Sequence, residues 1–252
     1  MVGAGYSASD KLVMMAQITQ QNFLGYGQVL SLKASLGSET SNYDLSFTEP
    51  WLFDLPLWCK ADIWKYEKEY DYYTIDTQGA GLTLGYPLIE RIVGYLGYKY
   101  YIDDIREVSP IATDYVKAQE GETSSSAVTL SLIRDTTNDY IFPSKGTKAT
   151  VSVTHAGGPL EGDANYTQYG ASLFAYFPLP LDVVCASKGR IGYIQYDEGV
   201  EVPGSIGCGV CGINALRGGR YVGATNVGAS YAIGGTTIVE FNVEVEDRVV
   251  DE

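Results

Sequence analysis

Cys208 and Cys211 stand three residues apart, the spacing that in other settings binds a metal or exchanges a disulfide. Redox exchange of the thioredoxin type needs a βαβ setting, and this pair lies instead in a glycine-rich stretch. A zinc site needs two further ligands, and neither the single histidine, His155, nor a second Cys-x-x-Cys supplies them. Cys59 and Cys185 lie in apolar strand-like runs, where cysteine behaves as a small hydrophobe. A reversible loop disulfide or two idle thiols therefore fit the pair better than a metal.

The remaining chemistry-bearing residues are equally poor in partners. Asp135 and Asp139 could be paired carboxylates for hydrolysis, but they lie four apart across a strand and turn. His155 has no serine or cysteine at the spacing of a nucleophilic triad and reads as a strand-end histidine. The glycine-rich run 204–219 lacks the Lys-Ser/Thr of a phosphate-binding loop. No catalytic residue, cofactor or metal is expected. A formal net charge of −14 would repel phosphate backbones, so nucleic acid is not an expected partner.

What would position any site is a repeated alternation of period two. Successive side chains of a strand point to opposite faces. Leu30, Leu32, Ala34 and Leu36 oppose Val29, Ser31, Lys33 and Ser35; Ala80, Leu82, Leu84 and Tyr86 oppose Gly79, Gly81, Thr83 and Gly85. The same pattern runs from Lys11 to Gln21, from Tyr43 to Thr48, from Leu57 to Trp64, from Lys148 to Thr154 and from Thr237 to Glu244. It predicts about twelve antiparallel strands, over 2–8, 10–23, 26–37, 39–50, 56–68, 70–87, 91–104, 125–139, 145–157, 163–178, 180–197 and 231–246.

Alternation alone fits either a soluble sandwich or a membrane barrel. Several of these strands exceed the usual five or six residues of globular sheets. One face carries Lys, Asp, Glu and Gly, as a wet lumen would, and the other is aliphatic with tyrosine near its ends. The chain holds 21 Tyr and only 7 Phe, which suits a surface half in oil and half in water. No apolar run approaches the roughly 18 residues of a membrane helix. The expected fold class is all-β, an antiparallel transmembrane β-barrel with 1–252 as one domain. Two longer connections stand out, 105–124 and a long extracellular-type loop at 198–230.

Five segments then carry a resemblance, in this order along the chain. They are Gly3-Ala4-Gly5-Tyr6-Ser7 with Gln20–Gly27, Phe47-Thr48-Glu49-Pro50-Trp51, Arg134–Gly146 with its Arg-Asp, Phe-Pro and Gly landmarks, Gly212–Gly218 ending in Leu216-Arg217-Gly218, and Phe241-Asn242-Val243-Glu244. Together they resemble the barrel domain of the BamA family, the outer-membrane protein assembly factors, across nearly the whole chain. The family barrel has sixteen strands preceded by periplasmic POTRA domains. This sequence leads from Met1 straight into a strand, holds twelve, and has Gly219 where the family has an aromatic. The resemblance thus implies a truncated or engineered barrel, either a fragment or a twelve-strand closure.

The resemblance also implies site residues. The loop-tip arginine, Arg217 between Leu216 and Gly218, would fold into the lumen and pair with Glu244, with Glu240 on the same face as a substitute; a solvent-exposed loop arginine is the plain alternative. Gly3, Gly5 and Tyr6 would lie on the seam strand, which opens sideways and templates an incoming client strand by β-augmentation. The implied partners are outer-membrane lipids, client outer-membrane proteins and accessory assembly lipoproteins, and the implied location is the bacterial outer membrane. The alternatives within the same superfamily or scaffold are a polypeptide-secretion pore or passive channel, and an inactive barrel.

Overall fold

In a computed structural model of the chain, residues 1–7, 11–70, 72–112, 117–180, 183–196, 226–228, 231–233 and 236–247 are described. Eleven strands follow one another: β1 (Val2–Ser7), β2 (Lys11–Phe23), β3 (Gln28–Leu36), β4 (Thr40–Glu49), β5 (Trp58–Tyr70), β6 (Tyr73–Ile89), β7 (Ile92–Arg106), β8 (Gly121–Asp135), β9 (Gly146–Ala156), β10 (Tyr166–Leu179) and β11 (Val183–Tyr196). Two short strands, β12 (Asn226–Gly228) and β13 (Tyr231–Ile233), pair only with each other, and β14 (Thr237–Asp247) follows. β1 to β11 and then β14 form one twelve-stranded antiparallel sheet in chain order.

Two departures from the alternation reading have local causes. The eighth strand runs 121–135 rather than 125–139. Its polar start, Gly121-Glu122-Thr123-Ser124, reads as loop, yet Asp163 accepts hydrogen bonds from the Ser124 backbone N–H and hydroxyl, both at 2.8 Å, and holds it extended. At the far end, Asn138 and Asp139 leave the strand because their side chains bind backbone N–H groups of the following turn. The final strand begins at Thr237 rather than 231, with β13 split off from it. In the sequence Gly234-Gly235 lies between the two, and glycine within a strand weakens it.

The chain divides into two compact units, one of 1–86, 96–128 and 156–165, the other of 87–95, 129–155 and 166–252. In the first unit, one sheet face exposes Ile18, Leu32, Leu45, Ile63, Leu82 and Tyr100, with Ile18 at 70% and Ile63 at 61%. The opposite face is polar and mutually bonded. The Thr19 and Ser31 hydroxyls are hydrogen-bonded at 3.1 Å, Thr77 donates to Asp103 (2.6 Å), and the Lys99 ammonium stands over the Trp64 ring. Gly79 makes room for that ring, since a Cβ there would meet Trp64 Cζ2 and Tyr101 Cβ, both at 2.6 Å.

The second unit repeats the inversion. Leu130, Leu132, Val151, Leu173, Ile191, Val239 and Phe241 are exposed, while Glu240 is buried. Water-soluble sheets bury the apolar face; here it is the face that meets the surroundings. An exposed apolar surface of this extent marks contact with lipid or a partner. Alternating apolar-out and polar-in residues are the mark of membrane-spanning strands.

Candidate functional site at the first and last strands

β1 is six residues long and pairs with one end of β2, from Val2 opposite Ala16 to Ser7 opposite Lys11. Gly3 and Gly5 have no atom within 4 Å of where a Cβ would stand, and Tyr6 is 82% exposed. A strand of this kind is held by its backbone ladder and by little side-chain packing. The three residues expected on the seam therefore do share one sparsely packed strand.

At the other end of the sheet order, β14 pairs with β11 over eleven residues, Val183 opposite Asp247 through Tyr193 opposite Thr237. Ile238, Glu240, Asn242 and Glu244 share one face by alternation, and the register sets Glu240 against Arg190 and Asn242 against Lys188. The Glu240 side chain is only 1% exposed. Its Oε1 lies 3.3 Å from Lys188 Nζ and accepts a hydrogen bond from Asn242 Nδ2 at 2.7 Å. Its Oε2 faces Arg190 Nε at 3.1 Å, an ion pair off the line of a good hydrogen bond. One carboxylate thus joins two cations of the neighbouring strand. A buried charge tolerates burial only when so compensated.

Glu244, the other expected acidic partner, lies half-buried opposite Ala186. Leu216, Arg217 and Gly218, together with Cys208 and Cys211, lie outside the described residues. Sequence reading missed Lys188 and Arg190. Their i, i+2 spacing puts both on one strand face, and that was the available signal.

The two turn motifs prove to be clasps. Glu49 receives Gln28 on one oxygen and the Trp51 backbone N–H on the other (3.0 Å), tying the start of β3 to the turn after β4. In the 134–146 segment, Asp135 accepts from the Thr137 N–H and hydroxyl, and Asn138 Oδ1 accepts from the Ser144 and Lys145 N–H groups. Asp139 accepts from Ile141 and Phe142. Those N–H groups, Phe142 first and then Ile141, hold its carboxyl below the usual carboxylate range. Gly146 sits at φ +104°, and a Cβ there would run into the Thr136 carbonyl. Asp135 and Asp139 are engaged as turn caps. His155 Nδ1 lies 3.0 Å from the Thr167 hydroxyl.

Sheet order, inverted faces and strand lengths define a membrane protein that crosses with β-strands. The profile of the Omp85 superfamily domain matches residues 22–249, and the chain belongs to that superfamily of outer-membrane β-barrel proteins. It is 26% identical over 244 residues to the outer membrane protein assembly factor BamA of Nitratidesulfovibrio vulgaris, covering 96% of this chain and 31% of that protein. It is 22% identical over 255 residues to BamA of Neorickettsia risticii, covering 97% and 33%. The crystal structure of BamA from Haemophilus ducreyi lacking POTRA domains 1–3 superposes with a TM-score of 0.81 at 28% identity, covering 97% of this chain and 52% of that one. The chain thus spans about a third of the length of the curated relatives it matches.

Proposed function

We propose that this chain is the barrel domain of an outer-membrane assembly and insertion factor that performs no covalent chemistry. In this reading residues 1–252 are one domain, and 198–230 is its long extracellular loop. β1 is the labile side of a lateral seam. A client strand adds to its backbone as a further strand, with main-chain hydrogen bonds giving the affinity. The observation that carries the reading is the bareness of β1, six residues with no packing against Gly3 or Gly5, in a sheet whose other members run from nine to seventeen residues. Family membership and the assembly-factor relatives support it. Arg217 then docks on the polar face beside Glu240 and Glu244, where Lys188 and Arg190 already share the charge of Glu240. Partners are client outer-membrane proteins, lipids and accessory assembly lipoproteins.

The test is client insertion into proteoliposomes, read by heat-modifiable gel migration of an unfolded outer-membrane protein added from urea. The chain should accelerate insertion over empty vesicles. Arg217→Ala should abolish the acceleration, and β-branched side chains at Gly3 and Gly5 should slow it. No acceleration by a correctly folded chain, together with steady conductance in planar bilayers, would replace the insertase reading with a pore.

A further inference from the structure

On the exposed apolar face of the first unit, a groove of about 500 Å³ crosses β3 to β7. That volume lies within the roughly 300–1,000 Å³ of small-molecule sites. Ala80 forms its floor, and Tyr43, Leu45, Ile63 and Tyr100 wall it. One end is closed by Lys65 and Gln78.

That end coincides with the edge of the apolar face. Along one face of β5 the residues read Ile63, Lys65, Glu67; of β6, Leu82, Ala80, Gln78, Asp76; of β7, Tyr100, Ile102, Asp104, Arg106. Hydrocarbon character gives way to charge towards the same end of all three strands, with Lys65 opposite Gln78 and Glu67 opposite Asp76. Charge on the lipid side of a membrane sheet is costly at mid-depth and tolerated near the interface, so this level is where lipid phosphates lie.

The charges there are arranged, not scattered. Asp76 Oδ2 holds Lys65 Nζ at 2.8 Å and Arg106 Nη2 at 3.0 Å, and Asp104 holds Arg106 Nε at 3.2 Å. The carboxylates lie underneath, with side chains 12% and 27% exposed, while both cations are 47% exposed. Glu67, opposite Asp76 in the register, adds a third carboxylate, so the group carries one net negative charge, and the two cations are its more exposed members beside Asp76 and Asp104. A lysine stem running along apolar wall with its ammonium at the interface is a favourable placement.

We propose that this groove binds one phosphate-bearing anionic lipid, an acyl chain lying over Ala80 between Tyr43 and Tyr100 and the phosphate resting on Lys65 and Arg106. The guanidinium N–H groups of Arg106 that do not face Asp76 or Asp104, with the Lys65 ammonium, supply the headgroup preference, and the walls supply affinity common to any lipid chain. The site lies on strands β3 to β7, away from the seam strand β1, and does not depend on the insertase reading.

The experiment is native mass spectrometry of the detergent-purified chain, equilibrated with equal amounts of dimyristoyl phosphatidylglycerol and dimyristoyl phosphatidylcholine. The wild type should retain phosphatidylglycerol severalfold over phosphatidylcholine with a stoichiometry of one. Lys65→Gln should erase the preference while leaving chain binding. Ala80→Phe should remove retention of both lipids. Ala171→Phe, on an exposed position of β10, should change nothing. Heat-modifiable migration confirms folding of each variant. Equal retention of the two lipids by wild type, an undiminished preference in Lys65→Gln, or equal loss in Ala80→Phe and Ala171→Phe would each overturn the site.

Discussion

The first and last strands of the sheet order are built on opposite principles. β1 is short, carries two glycines that touch nothing, and exposes its tyrosine. β14 is eleven residues long, buries Ile238 and Glu240, and is fastened to β11 by one carboxylate shared between Lys188 and Arg190. Under the insertase reading proposed above, the difference indicates which strand would yield. Opening at β1 sacrifices backbone hydrogen bonds that a client strand replaces one for one. Opening between β11 and β14 would strand a buried charge, so the fastening directs lability towards β1.

That contrast can be broken at its strong side first. Glu240→Ala leaves Lys188 and Arg190 facing each other without their anion and should destabilise the folded state by about 2–3 kcal/mol, less than a fully buried pair because both cations reach solvent. Urea titration followed by heat-modifiable migration measures it. Lys188→Gln should cost less, about 1 kcal/mol, since Arg190 still balances the carboxylate. A loss from Lys188→Gln as large as from Glu240→Ala would show that the cations do not share the charge.

At the weak side, Gly5→Val should alter stability by no more than about 1 kcal/mol, because a Cβ there meets nothing and valine suits a strand. Its expected effect is on rate, with client insertion slowed while the folded fraction is unchanged. The smallest effect concerns Asp163, whose carboxyl is held below the usual range by the Ser124 N–H and hydroxyl. A depressed folded pKa contributes stability that is present above the unfolded value of about 3.9 and is lost as pH falls through the folded one. The protection factor of the Ser124 amide should therefore fall only below about pH 4, and the Asp163→Asn variant should lack that fall.

Much of the fold was legible because alternation reports directly which face each residue takes. Strand ends were harder where side chains override the pattern. Ser124 is extended only because Asp163, 39 residues away, receives its N–H, and Asn138 leaves the strand only because it finds the Ser144 and Lys145 amides. Of the candidate site, Glu240 was readable as a charge on the polar face of the last strand. Its partners were not, since Lys188 and Arg190 meet it through a register between strands far apart in sequence, and alternation fixes a face without fixing a register. The family resemblance supplied the motifs but not what they do. Glu49 and Asn138 are clasps visible only once their amide partners are placed.

The most direct test of the proposed contrast between β1 and β14 is amide hydrogen exchange of the folded chain in lipid nanodiscs, comparing Gly3–Tyr6 with Val239–Val243. The account predicts that the β1 amides exchange at least about tenfold faster, a difference of about 1.4 kcal/mol in opening free energy, and that client peptide slows them selectively. Equal protection of the two strands, or faster exchange in β14, would contradict it.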